Sequence, residues 1–369
     1  MWSVLPFGLL YLFPLGAYWA ITRGGAWCWF LPLMAFLFMP ALDFFWDRLS
    51  PSDGKRLEVS RLGEWLSDFF LMAFVPTQLL VLALAIFEIP SRVANHGALS
   101  WDVLGLTLSL GILTGGIGIT LAHELVHRRE KLWQWGGLVL LSSVFYGHFA
   151  IEHVLGHHTH VGTKGDPASA RRGENLWFFV VRSVVMGLVS AWNIERQRLE
   201  RVAVRAGKPT GLQLGSWLQH RMFQTSLLSA LFLWASFWVS GVAGAMLLVA
   251  QAAIAVFLLE AINYVEHYGL TRKLLDNGKP EPVQLWHSWD SHSRISSWVL
   301  IHLSRHADHH KYPARPFYKL EGSQASPLLP ASYPACVLLA TLPPIWYRIM
   351  HARLDRFSQP ELGRIGNQP

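Results

Sequence analysis

The chain predicts an all-α integral membrane protein: six transmembrane helices with a histidine-rich dimetal site at their cytoplasmic ends. Three observations carry that expectation. Of 369 residues, 52% are hydrophobic and only 15% charged, against about 25% charged in an average soluble domain. Six stretches approach the roughly 20 apolar residues that span a bilayer. Histidines recur where apolar stretches end.

In chain order the predicted spans are 4–22, 26–46, 67–89, 102–122, 223–240 and 244–265. The first begins MWSVLPFGLLYLF, without a basic leader or a small-residue cleavage site, so it reads as a membrane helix rather than a signal peptide. Basic residues are distributed unevenly between the spans. Segment 47–66 holds Arg48, Lys55, Arg56 and Arg61, whereas 90–101 holds only Arg92 and 241–243 none. The long segment 123–222 and everything after 266 are rich in arginine and lysine, which puts both termini and both long segments in the cytoplasm. The formal charge of +7 follows from this asymmetry; no basic run interleaved with aromatics suggests a nucleic-acid groove.

Three further apolar stretches do not fit single crossings. Residues 132–150 lie between two histidine groups that must share a side, so they either dip in and return or lie along the helices. Residues 331–347 are broken by Pro334, Pro343 and Pro344 and suit a re-entrant or interfacial segment. The stretch from 176, LWFFVVRSVVMGLVSAW, contains Arg182 and is followed by a charged tail, as in an interfacial amphipathic helix. Tryptophans suit an interfacial belt and helix packing. Gly115, Gly116 and Gly118, late in the fourth span, read as close packing and as room for a substrate above His123, since no strand precedes them to make a nucleotide loop. Cys28 and Cys336 are far apart in apolar stretches and form neither a disulfide framework nor a CxxC metal site.

The histidines fall into HELVH (His123, His127), EHVLGHH (His153, His157, His158), NYVEH (His267) and RHADHH (His306, His309, His310). Imidazoles four residues apart on a helix share a face and can grip one ion. That spacing pairs His123 with His127, His153 with His157, and His306 with His310; the doublets add ligands for a neighbouring ion. Nine candidates exceed the four to six positions of one transition metal, so two metals are the economical reading. A lone histidine is ordinarily a packed core or interface residue. Four groups beside membrane helices are costly without a shared partner. The ligands alone leave iron, zinc, copper and nickel open. Glu260, Glu124, Glu152, Asp166, Glu266 and Asp308 are candidate carboxylates for orienting the imidazoles, with helix-end or solvated charge as the alternative for each. His148, His160 and His302 are read as structural, and His96, His220 and His351 as surface or interface residues.

The boxes, their order and the hydropathy pattern resemble the membrane-bound alkane 1-monooxygenase family of non-haem diiron hydroxylases. NYVEHYGL at 263–270 is the most specific piece; HSWDSH at 287–292 and LSRHADHH at 303–310 agree with it. The resemblance implies ligation of two iron ions by His123, His127, His153, His157, His158, His267, His306, His309 and His310. It implies O2-dependent hydroxylation of the terminal methyl of alkanes to primary alcohols at a bacterial inner membrane. The chain has no flavin or nicotinamide fingerprint and no four-cysteine iron site, so electrons would come from another protein; the resemblance implies a rubredoxin fed by an NAD(P)H-dependent reductase. Gly162 and Lys164 stand where the family more often has alanine and proline, and Asp290 where asparagine is usual, which bears on substrate range and on the surroundings of the ligands.

A substrate dissolved in the bilayer is expected to reach the metals through an apolar channel enclosed by the third to sixth spans. Residues 1–350 form the expected membrane-embedded domain, and 351–369 a polar tail that could link to another domain. Two competing functions are a membrane fatty-acyl desaturase or hydroxylase, against which NYVEHYGL argues, and a metal transporter. The transporter needs ligands near the bilayer midplane, whereas these gather at helix ends.

Overall fold

The computed structural model describes residues 2–50, 54–207 and 218–357. Among the described residues regular structure is helical, apart from two isolated β-bridges, Leu274 with Pro280 and Asp290 with Leu328. Most of the proposed tail, 358–369, lies outside the described residues; its first part continues a helix.

Four long helices come first: α1 (Ser3–Arg23), α2 (Gly25–Leu49), α3 (Arg61–His96) and α4 (Trp101–His127). Two start on serine caps, where Gly63 N donates to Ser60 Oγ at 3.3 Å and Val103 N to Ser100 Oγ at 3.3 Å. Helix α4 is central: 78% of its most apolar window is buried, against 28% in α2 and 33% in α3. The outer helices keep large apolar side chains exposed, among them Phe45, Leu80 and Phe87. Such faces need lipid rather than water. The protein is multi-pass.

After α4 come α5 (Lys131–Ser142) and a bent helical segment, α6 (149–160). Together they carry the chain inward and back, as the shared side of the flanking histidines requires. Helix α7 (Leu176–Arg205) begins on Asn175, whose Oδ1 accepts from Phe178 N at 2.9 Å. Its 30 residues are long and apolar enough to cross a membrane, more than the interfacial helix expected at 176–192. Its buried stripe runs Leu176, Phe179, Ser183, Gly187, Ala191 and Glu195, and Phe178, Val181 and Val185 face outward.

Helix α8 (Arg221–His267) is two helices joined at Ser240 and Gly241, where Gly241 takes φ +57°. Ser229 Oγ donates to Ser142 O at 3.1 Å and Gln251 Nε2 to Ser143 O at 3.2 Å, so positions about equally far from the bend meet neighbouring residues. The arms therefore fold back as a hairpin, the expected fifth and sixth spans. Helix α7 touches both arms near their free ends, Trp177 stacking on Phe257 and Glu195 accepting from Arg221 N at 2.9 Å. It runs across the base of the hairpin.

The centre is tied by polar groups as well as packing. Gln78 Nε2 donates to Ser143 Oγ at 3.1 Å and Thr114 Oγ1 to Gln251 Oε1 at 2.6 Å, joining α3, α4 and α8. Each such bond between membrane helices contributes about 0.6 kcal/mol. At the opposite end Arg92 pairs with Asp102, whose carboxylate also accepts from Gly25 N.

The C-terminal part adds α9 (Arg294–Val299), α10 (His306–Lys311), α11 (Tyr333–Ala340) and α12 (Pro343–Arg356). The interruption between α11 and α12 agrees with a segment that does not cross straight. Buried Asp43, in α2, accepts from Ile295 N at 2.7 Å and so anchors the start of α9.

Candidate metal centre

The nine histidines singled out by spacing converge, as two groups of ligand atoms. His123, His127, His153, His158 and His309 form one; His157, His267, His306 and His310 form the other, with the atoms of each group within 4.8 Å of one another. The groups are neighbours, since the rings of His158 and His310 stack at 4.4 Å.

The expected pairs His123–His127 and His306–His310 each stay together, and the doublets His157–His158 and His309–His310 each divide between the groups. The pairing of His153 with His157 does not hold. Residues 153–157 form a π-helical turn, whose hydrogen bonds join i to i+5 rather than i to i+4. The extra residue brings His158 Nε2 to 3.0 Å from His153 Nε2 and sends His157 to the other group.

The donor geometry fits metal ions. In the four-histidine group, His306 Nε2 lies 3.2 Å from His267 Nε2 and 2.9 Å from His310 Nε2, and His310 Nε2 lies 3.2 Å from His157 Nε2. A neutral imidazole has one donor and one acceptor nitrogen, so several converging Nε2 atoms cannot all be satisfied by one another. Ligands at right angles with bonds of about 2.1 Å lie about 3.0 Å apart. In the five-histidine group, the Nε2 atoms of His123 and His127 are buried with no hydrogen-bond partner among the described residues. Burial first, and then neighbouring imidazoles, hold His153, His158, His306, His309 and His310 well below the ordinary histidine pKa. They are neutral, the form that binds metal.

His157 differs. Burial lowers its pKa, but buried Asp166 beneath it raises it above the usual value. Its Nδ1 is 2.9 Å from Asp166 Oδ2, which also accepts from Ser169 Oγ at 2.5 Å, while Asp166 Oδ1 accepts from Ala168 N at 3.0 Å. Arg182 secures this loop: it pairs with Glu174 at 2.6 Å and donates to Pro167 O and Ser169 O. The charge inside the apolar α7 stretch is thus a tether.

The other carboxylates sort by direction. Glu266 Oε2 is 3.2 Å from His306 Nε2. Glu260 accepts from the Tyr146 hydroxyl at 2.6 Å, Glu124 from Arg128 Nε at 2.9 Å, Glu152 from Ser190 Oγ at 3.3 Å, and Asp308 from Arg315 at 2.6 Å. None of these four hydrogen-bonds one of the nine imidazoles among the described residues. Expected as histidine partners, they spend these hydrogen bonds on other groups, while the charges of Glu152 and Glu260 still act on His157. Asp290 instead anchors α10, accepting from Ala307 N and Ser326 Oγ, each at 2.8 Å.

The remaining histidines stay out of both groups. His302 Nδ1 donates to Phe317 O at 3.2 Å, and its ring packs edge-on to Phe7. Ile301 and His302 take positive φ, +43° and +58°, so the turn before α10 is a strained one held by packing. His148 packs on Tyr146, and His160 is exposed. Gly162, one of the departures, takes φ +70°, which favours glycine there.

An apolar cavity ends at the centre. Its walls include Phe36, Gly116, Phe149, Ile262 and Tyr333, and it reaches His123, His153, His306 and Glu266. About 810 Å³ of empty space lies along it, counting the open space at its mouth. The walls come from α1, α2, α4, α6, the second arm of α8, the 300–303 turn and α11. This corrects the channel expected between the third and sixth spans: α3 and the first arm of α8 pack outside it. Phe36 and Tyr333 carried no sequence signal, being aromatic residues in apolar stretches. The glycines divide as expected. A Cβ on Gly115 would meet Ala255 Cα at 2.5 Å and one on Gly118 would collide with Gln78, but one on Gly116 would meet nothing within 4 Å.

Residues 99–338 match the family model described as fatty acid desaturase. The chain is 33% identical to alkane 1-monooxygenase 2 of Pseudomonas aeruginosa over 97% of this chain and 91% of that protein. It is likewise 33% identical to alkane 1-monooxygenase 2 of Alcanivorax borkumensis, over 96% and 90%. A xylene/toluene monooxygenase hydroxylase component of Pseudomonas putida is 29% identical over 89% and 82%.

Proposed function

The chain belongs to the fatty acid desaturase family and, along nearly its whole length, to the alkane 1-monooxygenases; on that footing we propose that it hydroxylates the terminal methyl of alkanes with O2. The observation that carries this reading is the apolar cavity ending on two groups of largely buried imidazoles. We assign the nine histidines as ligands of two iron ions, five for one and four for the other. When bound, the pair would supply the redox chemistry: with two electrons and two protons from outside, one oxygen atom of O2 enters a C–H bond and the other leaves as water.

The protein's own part is placement. Asp166 holds a proton on His157 Nδ1 and so presents Nε2 to the ion. The mostly apolar walls around Phe36, Ile262 and Tyr333 offer an alkane dispersion contacts. One end of an extended chain then lies against His123, His153 and His306. The cavity's open part admits a substrate already dissolved in the bilayer.

Residues 1–350 act as one membrane-embedded catalytic unit, followed by the 351–369 tail. Electrons come from a rubredoxin supplied by an NAD(P)H-dependent reductase. Exposed Lys164, Arg171 and Lys273, in segments adjoining the boxes, support docking of an acidic protein. The inner membrane with the centre on the cytoplasmic side agrees with the arginine and lysine asymmetry.

The test is anaerobic iron analysis of the purified chain, with turnover of octane, hexadecane and an acyl-CoA under a reducing supply. About two irons per chain and 1-alkanol from an alkane are expected. Stoichiometric zinc, or product from the acyl substrate alone, overturns the proposal.

A further inference from the structure

The two imidazole groups are unequal, five against four, and the smaller one faces a carboxylate. Glu266 precedes His267 at the end of α8 and is 1% exposed. Its Oε2 is 3.2 Å from His306 Nε2, matching the 3.2 Å and 2.9 Å that separate His306 Nε2 from His267 and His310. These are the spacings of neighbouring donors on one ion. Asp166 differs in kind: it meets Nδ1 of His157, the nitrogen turned away from the centre. Glu266 meets Nε2, the nitrogen turned toward it.

Two further observations point the same way. Glu266 Oε1 is buried with no hydrogen-bond partner among the described residues, although the Tyr333 hydroxyl faces the same carboxyl. A buried carboxylate oxygen left unmatched costs more than a hydrogen bond would return, unless a cation sits against the group. Nine neutral imidazoles also leave the full charge of two divalent ions beside an apolar cavity, and an adjacent carboxylate offsets part of it. Glu266 lines that cavity.

We propose that the Glu266 carboxylate is the fifth protein ligand of the ion held by His157, His267, His306 and His310, with its oxygens bordering the substrate cavity. This rests on the two-metal reading. It makes the two ions alike in ligand number and different in kind, one bound by imidazole alone and one by imidazole and carboxylate.

The test titrates anaerobic ferrous ion into the full chain in nanodiscs, for wild type, Glu266→Gln and Glu266→Asp, reading bound iron and its Mössbauer spectrum. The wild type takes two ions. Glu266→Gln keeps the side chain's shape but not its charge, and is expected to bind one of them at least about tenfold more weakly, leaving the other unchanged. Glu266→Asp, which keeps the charge, falls between. If the carboxyl serves only packing or hydrogen bonding, the order reverses and Gln is the better substitute; that order, or a Gln variant indistinguishable from wild type, overturns the ligand role and leaves the two-ion reading standing. A wild type that binds fewer than two ions overturns both. Infrared difference spectra of 13C-glutamate-labelled wild type on iron loading need no variant. A moving glutamate carboxylate band supports the proposal, and none overturns it.

Discussion

Asp166 Oδ2 lies 2.9 Å from His157 Nδ1, both groups buried, nine residues apart across a loop that Arg182 pins to α7. A carboxylate there can only accept, so Nδ1 keeps the proton and Nε2 keeps its lone pair. Asp166→Asn can instead donate through its amide, favouring the tautomer that cannot ligate. The variant is expected to bind the ion of the four-histidine group about 10–100-fold more weakly, with the five-histidine ion unaffected. Iron per chain at graded free iron measures this, and unchanged binding of both ions would refute it.

The division of the second box predicts how paired substitutions behave. His153→Ala with His158→Ala takes two ligands from one group and none from the other, so about one ion per chain is expected to remain. His153→Ala with His157→Ala takes one from each and is expected to weaken both. A regular α-helix at 153–157 would give the opposite ranking. Metal analysis of the two double variants side by side decides between them.

The nine histidines and the six apolar stretches were legible because spacing and hydropathy are properties of the chain alone. The grouping of the histidines was not. A π-turn depends on how α6 packs, and HVLGH carries no mark of it. The carboxylates show the same limit: Glu124, Glu152, Glu260 and Glu266 all border the boxes in sequence, yet only Glu266 of the four is turned onto an imidazole, because helix rotation decides. Cavity walls such as Phe36 and Tyr333 arise from elements about 300 residues apart.

Adjacent glycines in α4 are expected to respond in opposite ways. Gly115→Ala places a methyl 2.5 Å from Ala255 Cα and pushes α4 off α8, costing about 1–3 kcal/mol and lowering Tm. Gly116→Ala meets nothing and gains helix propensity of about 0.5–1 kcal/mol, so Tm holds or rises. Gly116→Leu extends into the cavity above His123. It is expected to reduce kcat/KM for the longest accepted alkane first, with iron content unchanged. Thermal melts and an alkane series measure both arms; a Gly116→Leu enzyme with an unaltered alkane profile would remove the cavity from the substrate's path.

Asp290 gives a pH dependence of known sign. It is fully buried and accepts from Ala307 N and Ser326 Oγ, holding the start of α10 and so the last histidine box. Burial pushes its carboxyl up to about 7 from an ordinary 3.8. The folded state therefore binds a proton that the unfolded chain releases near pH 4. The associated stability is complete below about pH 4 and is lost as pH rises to about 7, falling by about 1.4 kcal/mol for each pH unit between those limits. An asparagine fits the same partners: Oδ1 accepts from Ala307 N, and the amide donates to Ser326 Oγ, whose own hydrogen is also within reach of Ser323 O at 2.8 Å. Asp290→Asn carries no charge to bury, so its Tm is expected to match wild type near pH 4, to rise above it as pH increases, and to exceed it by several degrees near pH 8. Other groups titrate in this range, but they do so in both proteins, and the difference between the two melting curves isolates this carboxyl. A gap that stayed constant with pH would mean that Asp290 is ionised throughout, its charge stabilised by the α10 amide strongly enough to overcome burial.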